Sequence, residues 1–206
     1  MLDLRGRRVV VVGAGSVGLR KAQALAEAGA KVTVVTREAP SAAGPDGAEI
    51  VRDSYRSGLL EGAALVFACT DDSELNTRIA ADARAIGALV NVADQPCDCD
   101  FFLPACVCEG DVTVAIGTGG AAPALAAQLK RRLAGALPPR IGEFAALLDR
   151  LRRDLKTRLR DGKLRGKVMK ELAGEAAYEL FVARGSRAVR ELLDRLIENN
   201  RCDSSA

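Results

Sequence analysis

Three glycines near the start of the chain have the spacing of a phosphate-binding loop. Gly13, Gly15 and Gly18 form a GxGxxG pattern that follows a β-branched run and opens a segment with helical periodicity. In such a loop Gly13 allows a tight turn, Gly15 lets the backbone approach a pyrophosphate, and Gly18 permits close packing of helix against strand. The N-terminus of the helix offers free N–H groups to the anion. The pattern predicts a dinucleotide-binding site.

The residues after the second predicted strand leave the choice between NAD and NADP open. An NAD site usually has an acidic residue about 20 positions beyond the loop, where it binds the ribose hydroxyls. Here Thr36 occupies the end of the strand, so Glu38 would have to reach back. Arg37 could lie along the adenine or bind a 2′-phosphate.

Two polar motifs follow later strands, at the edge where doubly wound sheets bind ligands. The sequence has no histidine, which excludes Ser-His-Asp and Cys-His catalysis. Asp94 is therefore the best candidate for a general base, although it could instead form a turn before Pro96. Thr70 could contact the ribose or the nicotinamide, whereas Asp71 and Asp72 could equally cap a helix.

A second glycine-rich loop precedes a later helix. Thr118, Gly119 and Gly120 stand in this loop, and Lys130 and Arg131 follow on the helix. Free N–H groups and these cations could bind carboxylates or phosphates of a substrate. The alternative is a hinge between domains, and both interpretations are compatible.

Two pairs of cysteines suggest a metal site only weakly. Cys97 and Cys99 form one pair, and Cys106 and Cys108 form the other. Structural zinc sites favour two to four intervening residues, and Cys106 and Cys108 alternate along a probable strand. We predict no metal site, with a four-thiolate site as the alternative.

The elements that must position these residues alternate between strand and helix in the first half of the chain. Strands are predicted at Arg7 to Val12, Lys31 to Thr36, Ala48 to Arg52, Leu65 to Cys69 and Leu89 to Val92, and helices at Ser16 to Ala28 and Ser73 to Ile86. The pattern predicts an α/β fold with a Rossmann-like parallel sheet. A hairpin of Ala105 to Cys108 and Val112 to Ile116 contains the last predicted strands.

The rest of the chain is helical and basic. Breaks are predicted at Pro138-Pro139, Gly162, Gly166 and Gly185. Residues 1–129 hold 11 basic and 16 acidic residues, whereas residues 130–201 hold 19 and 10. This asymmetry favours an anionic partner, unless the arginine-rich helices are simply solvated.

Composition limits the class of protein. The 206 residues are 49% apolar and 28% charged, which is typical of a globular protein. No run approaches the roughly 20 apolar residues of a membrane-spanning helix. The N-terminus has early charges and lacks the apolar centre of a secretion signal, so we expect a cytoplasmic protein that does not contact a membrane.

Several of these motifs together resemble the precorrin-2 dehydrogenase/sirohydrochlorin ferrochelatase family, the dehydrogenase module of siroheme synthase. The resemblance covers about residues 2–150 closely. The motifs that carry it are Leu4-Arg5-Gly6-Arg7, the glycine loop, Arg20-Lys21, Thr70-Asp71-Asp72, Asn91-Val92-Ala93-Asp94, Cys99-Asp100-Phe101 with Pro104, and the loop from Gly119-Gly120 to Pro123. Two positions depart from the family: Gly18 replaces a common alanine, and Thr118 replaces a common serine.

The resemblance implies an NAD-binding Rossmann domain at 1–117, a dimerisation region at 118–150 and a helical C-terminal domain at 151–206. It implies a homodimer that oxidises precorrin-2 to sirohydrochlorin with NAD, and also inserts Fe²⁺ in bifunctional members. Ser16 and Val17 would lie under the pyrophosphate, Arg37 and Glu38 at the adenosine end, and Asp94 would take part in the chemistry. The substrate would be a tetrapyrrole, with no nucleic acid as partner. Two alternatives are a nucleotide-sensing Rossmann module of a transporter regulator and a generic NADP dehydrogenase.

Overall fold

The chain divides between Leu103 and Pro104 into two compact units. The computed structural model describes residues 2–38 and 44–202, with side chains as far as residue 199. The predicted hairpin lies in the second unit. The division into domains at 1–117, 118–150 and 151–206 stays a prediction.

The first unit contains a five-stranded parallel sheet with the strand order β3-β2-β1-β4-β5. This confirms the predicted α/β, Rossmann-like fold. The strands are β1 (Arg8–Val12), β2 (Lys31–Thr36), β3 (Glu49–Arg52), β4 (Leu65–Ala68) and β5 (Leu89–Val92), and the helices are α1 (Ser16–Glu27) and α2 (Ser73–Ala85).

The central strand β1 is buried on both faces. Val10 and Val12 join one hydrophobic cluster, and Val9 and Val11 join the cluster on the opposite face. Successive side chains of a strand point to opposite faces, so a strand covered on both sides reads as an unbroken apolar run. This explains why four consecutive valines are compatible with a folded sheet.

The order of the strands creates a crevice at one edge of the sheet. Strand β1 pairs with β2 on one side and with β4 on the other. The chain therefore adds β2 and β3 on one side of β1 and then crosses back to add β4 and β5 on the other side. In sheets of this kind the crevice lies outside the carboxyl ends of the strands, at this reversal. The loops after β1, β2, β4 and β5 all begin at that edge.

The second unit is a hairpin followed by helices. Its elements are β6 (Ala105–Glu109), β7 (Val112–Ile116), α3 (Pro123–Ala134), α4 (Ile141–Arg158), α5 (Gly162–Leu172) and α6 (Glu175–Cys202). Phe144, Leu147, Leu151 and Leu155 recur at helical spacing on α4 and are buried in the core of this unit.

The predicted helix breaks hold at three of four places. Helix α3 ends before Pro138-Pro139, α5 begins at Gly162, and Gly185 interrupts α6 with a φ of +76°. The prediction at Gly166 was wrong, because this residue lies inside α5. A single glycine costs a helix only about 1 kcal/mol, which packing of its neighbours outweighs. Among the described residues, no helix is both long and apolar enough to cross a membrane.

Candidate functional site

The glycine loop connects β1 to α1 in a conformation that requires glycine. Gly13 has a φ of +107°, and a Cβ there would lie 2.3 Å from the carbonyl oxygen of Cys69. A Cβ on Gly18 would lie 2.0 Å from the carbonyl oxygen of Gly13. The loop therefore packs tightly against the end of β4 and against its own helix.

Gly15 is glycine for a different reason, because no protein atom crowds it. It stands immediately before α1, and a Cβ placed on it would have no heavy atom within 4 Å. No side chain caps this end of α1, and both Gly15 and Ser16 are exposed, while Val17 is partly buried. Free N–H groups beside open space fit an anionic group such as a pyrophosphate.

A cleft of about 660 Å³ opens at the carboxyl ends of the strands. It brings together five of the predicted cofactor-binding residues: Gly13, Gly15, Arg37, Glu38 and Thr70. Its other lining residues are Val12, Ala14, Val35, Thr36, Asp53, Ser54, Tyr55, Cys69, Asp71, Asp72 and Leu75. The volume is in the range of small-molecule sites.

One end of the cleft carries an acid that the sequence analysis missed. Asp53 follows β3 directly and lines the cleft with Arg37 and Glu38. Its carboxylate pairs with Arg56 at 2.6 Å on the surface. The hydroxyl of Thr36 donates a 2.9 Å hydrogen bond to the Glu38 carbonyl, which shapes the turn after β2. An acid placed after the third strand was the available signal, since β2 and β3 end side by side.

Thr70 is held in place by a buried asparagine. Its hydroxyl donates a 2.7 Å hydrogen bond to Oδ1 of Asn76, whose Nδ2 donates one of 2.9 Å to the Thr70 carbonyl. Asn76 is only 3% exposed. Asp72 accepts a 3.0 Å bond from the amide of Leu75 and so caps α2, as one sequence alternative predicted. Asn76 was missed because its partner lies in the preceding loop and not on its own helix.

Asp94 follows β5 at the same edge of the sheet. It is exposed and has the left-handed φ of +60°, and its carboxylate makes no hydrogen bond or ion pair with the other described residues. Its charge reaches the thiol of Cys69, which lines the cleft: burial raises the pKa of that thiol, Lys21 lowers it and Asp94 raises it. A free carboxylate therefore follows β5 at this edge of the sheet, although Asp94 is not among the residues that line the cleft.

Residues 1–105 match the protein family described as "Putative NAD(P)-binding". The chain belongs to this NAD(P)-binding family. The crevice at the strand reversal, the open Gly15 and the uncapped α1 are the local features that a nicotinamide dinucleotide requires.

The NAD(P)-binding chain is also similar to longer proteins. It is 39% identical over 198 residues to the siroheme synthase of Ectopseudomonas mendocina (strain ymp) and 38% identical over 200 residues to that of Pseudomonas putida (strain W619). These alignments include 94% and 95% of this chain but only 42% and 43% of those proteins. The chain thus spans about two fifths of the length of the curated relatives it matches.

The fold has a counterpart among solved structures. SirC, precorrin-2 dehydrogenase, superposes with a TM-score of 0.71, covering 95% of this chain and 98% of that one. The sequences are 22% identical, so this likeness establishes a shared fold.

Two further side chains of the NAD(P)-binding cleft are poor candidates for a base. Tyr55 donates a 2.8 Å hydrogen bond from its hydroxyl to Oδ2 of Asp82. Burial first and then this contact raise the pKa of Tyr55. Burial likewise keeps Cys69 protonated by raising its pKa. Asp94 stays the best candidate.

The predicted substrate-binding residues lie in the second unit of the NAD(P)-binding chain. The hydroxyl of Thr118 accepts a 3.3 Å bond from the amide of Ala122, which ties the loop to the start of α3. Gly119 and Gly120 have φ of +61° and +83°. Lys130 and Arg131 are exposed on α3. Their role in binding a substrate stays a prediction.

The paired cysteines make local contacts. Cys99 donates a 3.2 Å bond to the Val92 carbonyl, Cys106 contacts the Pro104 carbonyl at 3.7 Å, and Cys108 accepts a 3.7 Å bond from the hydroxyl of Thr113. Within the described ranges no group of three or more candidate side chains could hold a metal ion.

Proposed function

We propose that this chain oxidises precorrin-2 to sirohydrochlorin with NAD as the oxidant. The observation that carries the proposal is the free carboxylate of Asp94, which follows β5 at the cleft edge of the sheet and raises the pKa of the Cys69 thiol in the cleft lining. The likeness to siroheme synthases over most of the chain supports the choice of substrate. The fold shared with SirC, precorrin-2 dehydrogenase, is consistent with it.

The residues of the cleft would divide the work of binding the dinucleotide. The open backbone at Gly15 and the first N–H groups of α1 at Ser16 and Val17 would receive the pyrophosphate. Arg37, Glu38 and Asp53 line the end of the cleft suited to the adenosine. NAD, when bound, supplies the acceptor for a hydride from the substrate.

Asp94 would take the proton that the oxidation releases. Loss of a hydride and a proton balances the two-electron oxidation, and a carboxylate at the site can collect that proton. Among the described residues, Asp94 has no hydrogen-bond or ion-pair partner that would compete for its oxygens. Lys21 and Asn91 are engaged in hydrogen bonds, and the Cys69 thiol has a raised pKa.

The basic second unit fits a substrate with several carboxylates. Lys130 and Arg131 on α3 present exposed cations, and residues 130–201 carry 19 basic against 10 acidic residues. Such a surface attracts a polyanion at long range. The loop of Thr118, Gly119 and Gly120 would contact the substrate at the start of this helix.

Insertion of Fe²⁺ into sirohydrochlorin is a second candidate activity. The same observation favours it, because a free carboxylate at Asp94 could accept the pyrrole protons that leave as the metal enters. Iron would be a substrate in this step, handed on to the macrocycle.

We also propose a cytoplasmic homodimer that prefers NAD to NADP. Helix α3 has only Ala126 buried, while Leu125 and Leu133 are 48% and 38% exposed. Apolar side chains on an open helix in region 118–150 support a dimer contact there.

Anaerobic incubation with precorrin-2 and NAD tests the proposal. We expect NADH and sirohydrochlorin, each measured by its absorbance, to form in a one-to-one molar ratio. Asp94→Asn serves as the control for chemistry without loss of the fold. Nucleotide binding without any oxidation of precorrin-2 by the wild-type chain would overturn the proposal.

A further inference from the structure

A lysine connects the glycine-loop helix to the strand that leads to Asp94. Lys21 on α1 donates a hydrogen bond from Nζ to Oδ1 of Asn91 on β5. The same ammonium lies 5.3 Å from the centroid of the Phe67 ring. Within the described part of the chain, Lys21 takes part in no ion pair. Its charge is therefore held by a neutral amide and an aromatic face.

Asn91 is the centre of this contact. It is 6% exposed, and its Nδ2 donates a 2.9 Å hydrogen bond to the carbonyl of Phe101. Nδ2 also lies 3.5 Å from Sγ of Cys99. One buried amide thus joins α1, β5 and the segment at 99–101, and its oxygen depends on Lys21 for a partner.

Packing alone does not account for a lysine at this place. Partial burial of an ammonium costs solvation, and ordering a long flexible side chain costs up to about 2 kcal/mol of conformational entropy. An apolar side chain would cover Phe67 without the solvation cost. The ammonium supplies what an apolar residue cannot, namely a donor for the buried oxygen of Asn91.

Asp94 needs such support because its own side chain provides none. Its backbone adopts the left-handed φ of +60°, which is uncommon outside glycine. The preceding residue, Ala93, is held by one 2.9 Å bond from its amide to the carbonyl of Ala68. Val92, which precedes Ala93, pairs with Ala68 in the sheet and contacts Sγ of Cys99, and the side chain of Asn91 anchors the strand one residue further back. The place of the carboxylate is therefore set by the end of β5.

We propose that Lys21 is a positioning residue, which fixes Asn91 and thereby holds Asp94 in place beside the nucleotide cleft. The electrostatics agree with this geometry, since Lys21 and Asp94 act in opposite senses on the same thiol, Cys69. The role in turnover rests on the proposed function, in which Asp94 is the base.

Lys21→Met tests the proposal in the full chain, because it keeps the length and removes the donor. A displaced base should lower kcat for precorrin-2 oxidation by roughly 10- to 100-fold, with KM and the Kd for NAD within about twofold. Lys21→Arg keeps a donor for Asn91 and should recover most of the rate. Lys31→Met is the matched control, since Lys31 is exposed at the opposite end of β2. Equal kcat in Lys21→Met and wild type would overturn the proposal.

A double-mutant cycle shows whether Lys21 acts through Asp94. In the Asp94→Asn background, Lys21→Met should change kcat by no more than about twofold, because the group it positions is gone. If Lys21→Met lowers kcat in the Asp94→Asn background by as large a factor as in wild type, the proposal is overturned. If Lys21→Met does not fold, Lys21→Gln carries the same tests, since it lacks the charge and the reach of lysine.

Hydrogen–deuterium exchange separates this inference from the proposed function. Peptides covering residues 90–101 should exchange at least about tenfold faster in Lys21→Met than in wild type, and unchanged in Lys31→Met. This readout needs no substrate, so it holds even if wild type fails to oxidise precorrin-2. Unchanged exchange in Lys21→Met would overturn the positioning role, whatever the activity.

Discussion

The carboxylate of Asp100 accepts a 2.9 Å hydrogen bond from the amide of Val90, and the amide of Asp100 donates one of 2.8 Å to the Val90 carbonyl. Cys99 repeats this arrangement, because its Sγ contacts both the amide and the carbonyl of Val92 at 3.2 Å. The backbone N–H and C=O groups of Val90 and Val92 on the free edge of β5 are thus hydrogen-bonded by Asp100 and Cys99 and not by another strand. An edge strand covered in this way is protected from pairing with other chains.

Asp100→Ala should destabilise the first unit by about 1 to 2 kcal/mol, since it leaves the Val90 amide without its charged partner. Urea unfolding measures the difference. Asp98→Ala is the matched control, because Asp98 contacts Arg84 through its backbone carbonyl, which the substitution keeps.

This effect should depend on pH in a defined sense. The bond from Val90 and then Arg84 hold the pKa of Asp100 below its ordinary value of 3.8. A lowered pKa stabilises the fold in full above the unfolded-state value and loses that contribution as the pH falls through the folded-state value. The difference in free energy of unfolding between wild type and Asp100→Ala should therefore narrow below about pH 4. A gap that widens on acidification would contradict this role.

Gly15→Asp should impair NAD binding, whereas Gly13→Ala should impair the stability of the fold. Gly15 has free space around it, so Gly15→Asp should fold normally but bind NAD at least about 100-fold more weakly, about 2.8 kcal/mol. Gly13→Ala forces an ordinary residue to a φ of +107° and against Cys69, so it should lower the melting temperature. Calorimetric titration and thermal melts distinguish the two. Unchanged NAD affinity in folded Gly15→Asp would rule out the phosphate-binding loop.

The cofactor preference should be NAD. Asp53 and Glu38 line the same end of the cleft as Arg37, and two carboxylates there disfavour a 2′-phosphate. We expect kcat/KM for NAD to exceed that for NADP by at least about tenfold, or about 1.4 kcal/mol. Asp53→Asn should narrow this ratio. A tenfold preference for NADP would reverse the assignment and give Arg37 the phosphate.

Asp94→Asn should remove the base while keeping the shape. Asparagine tolerates the left-handed backbone at this position, so the fold and NAD affinity should survive. Dehydrogenation should fall by roughly 10²- to 10⁴-fold, and any insertion of ferrous iron or cobalt should fall with it. NAD titration beside precorrin-2 turnover measures both. Near wild-type turnover would mean that solvent takes the proton and that Asp94 only forms a turn.

The sequence by itself determined the elements and the kind of site. Strands β2 and β5 were predicted at their observed bounds, because β-branched runs between turn signals carry their conformation locally. The glycine loop was readable for the same reason, since its spacing reflects a strand, a tight turn and a helix that are contiguous in the chain.

Only the tertiary structure decided which side chains meet. Asn91 looked like one more residue of a strand, yet it binds Lys21 on a helix 70 positions away. Asp53 entered the cleft because β3 lies beside β2, and Asp100 completed the edge of β5 because the chain folds back along it. Such contacts join residues that are distant in the sequence, so no local pattern encodes them, and they form only when the strands take their order in the sheet.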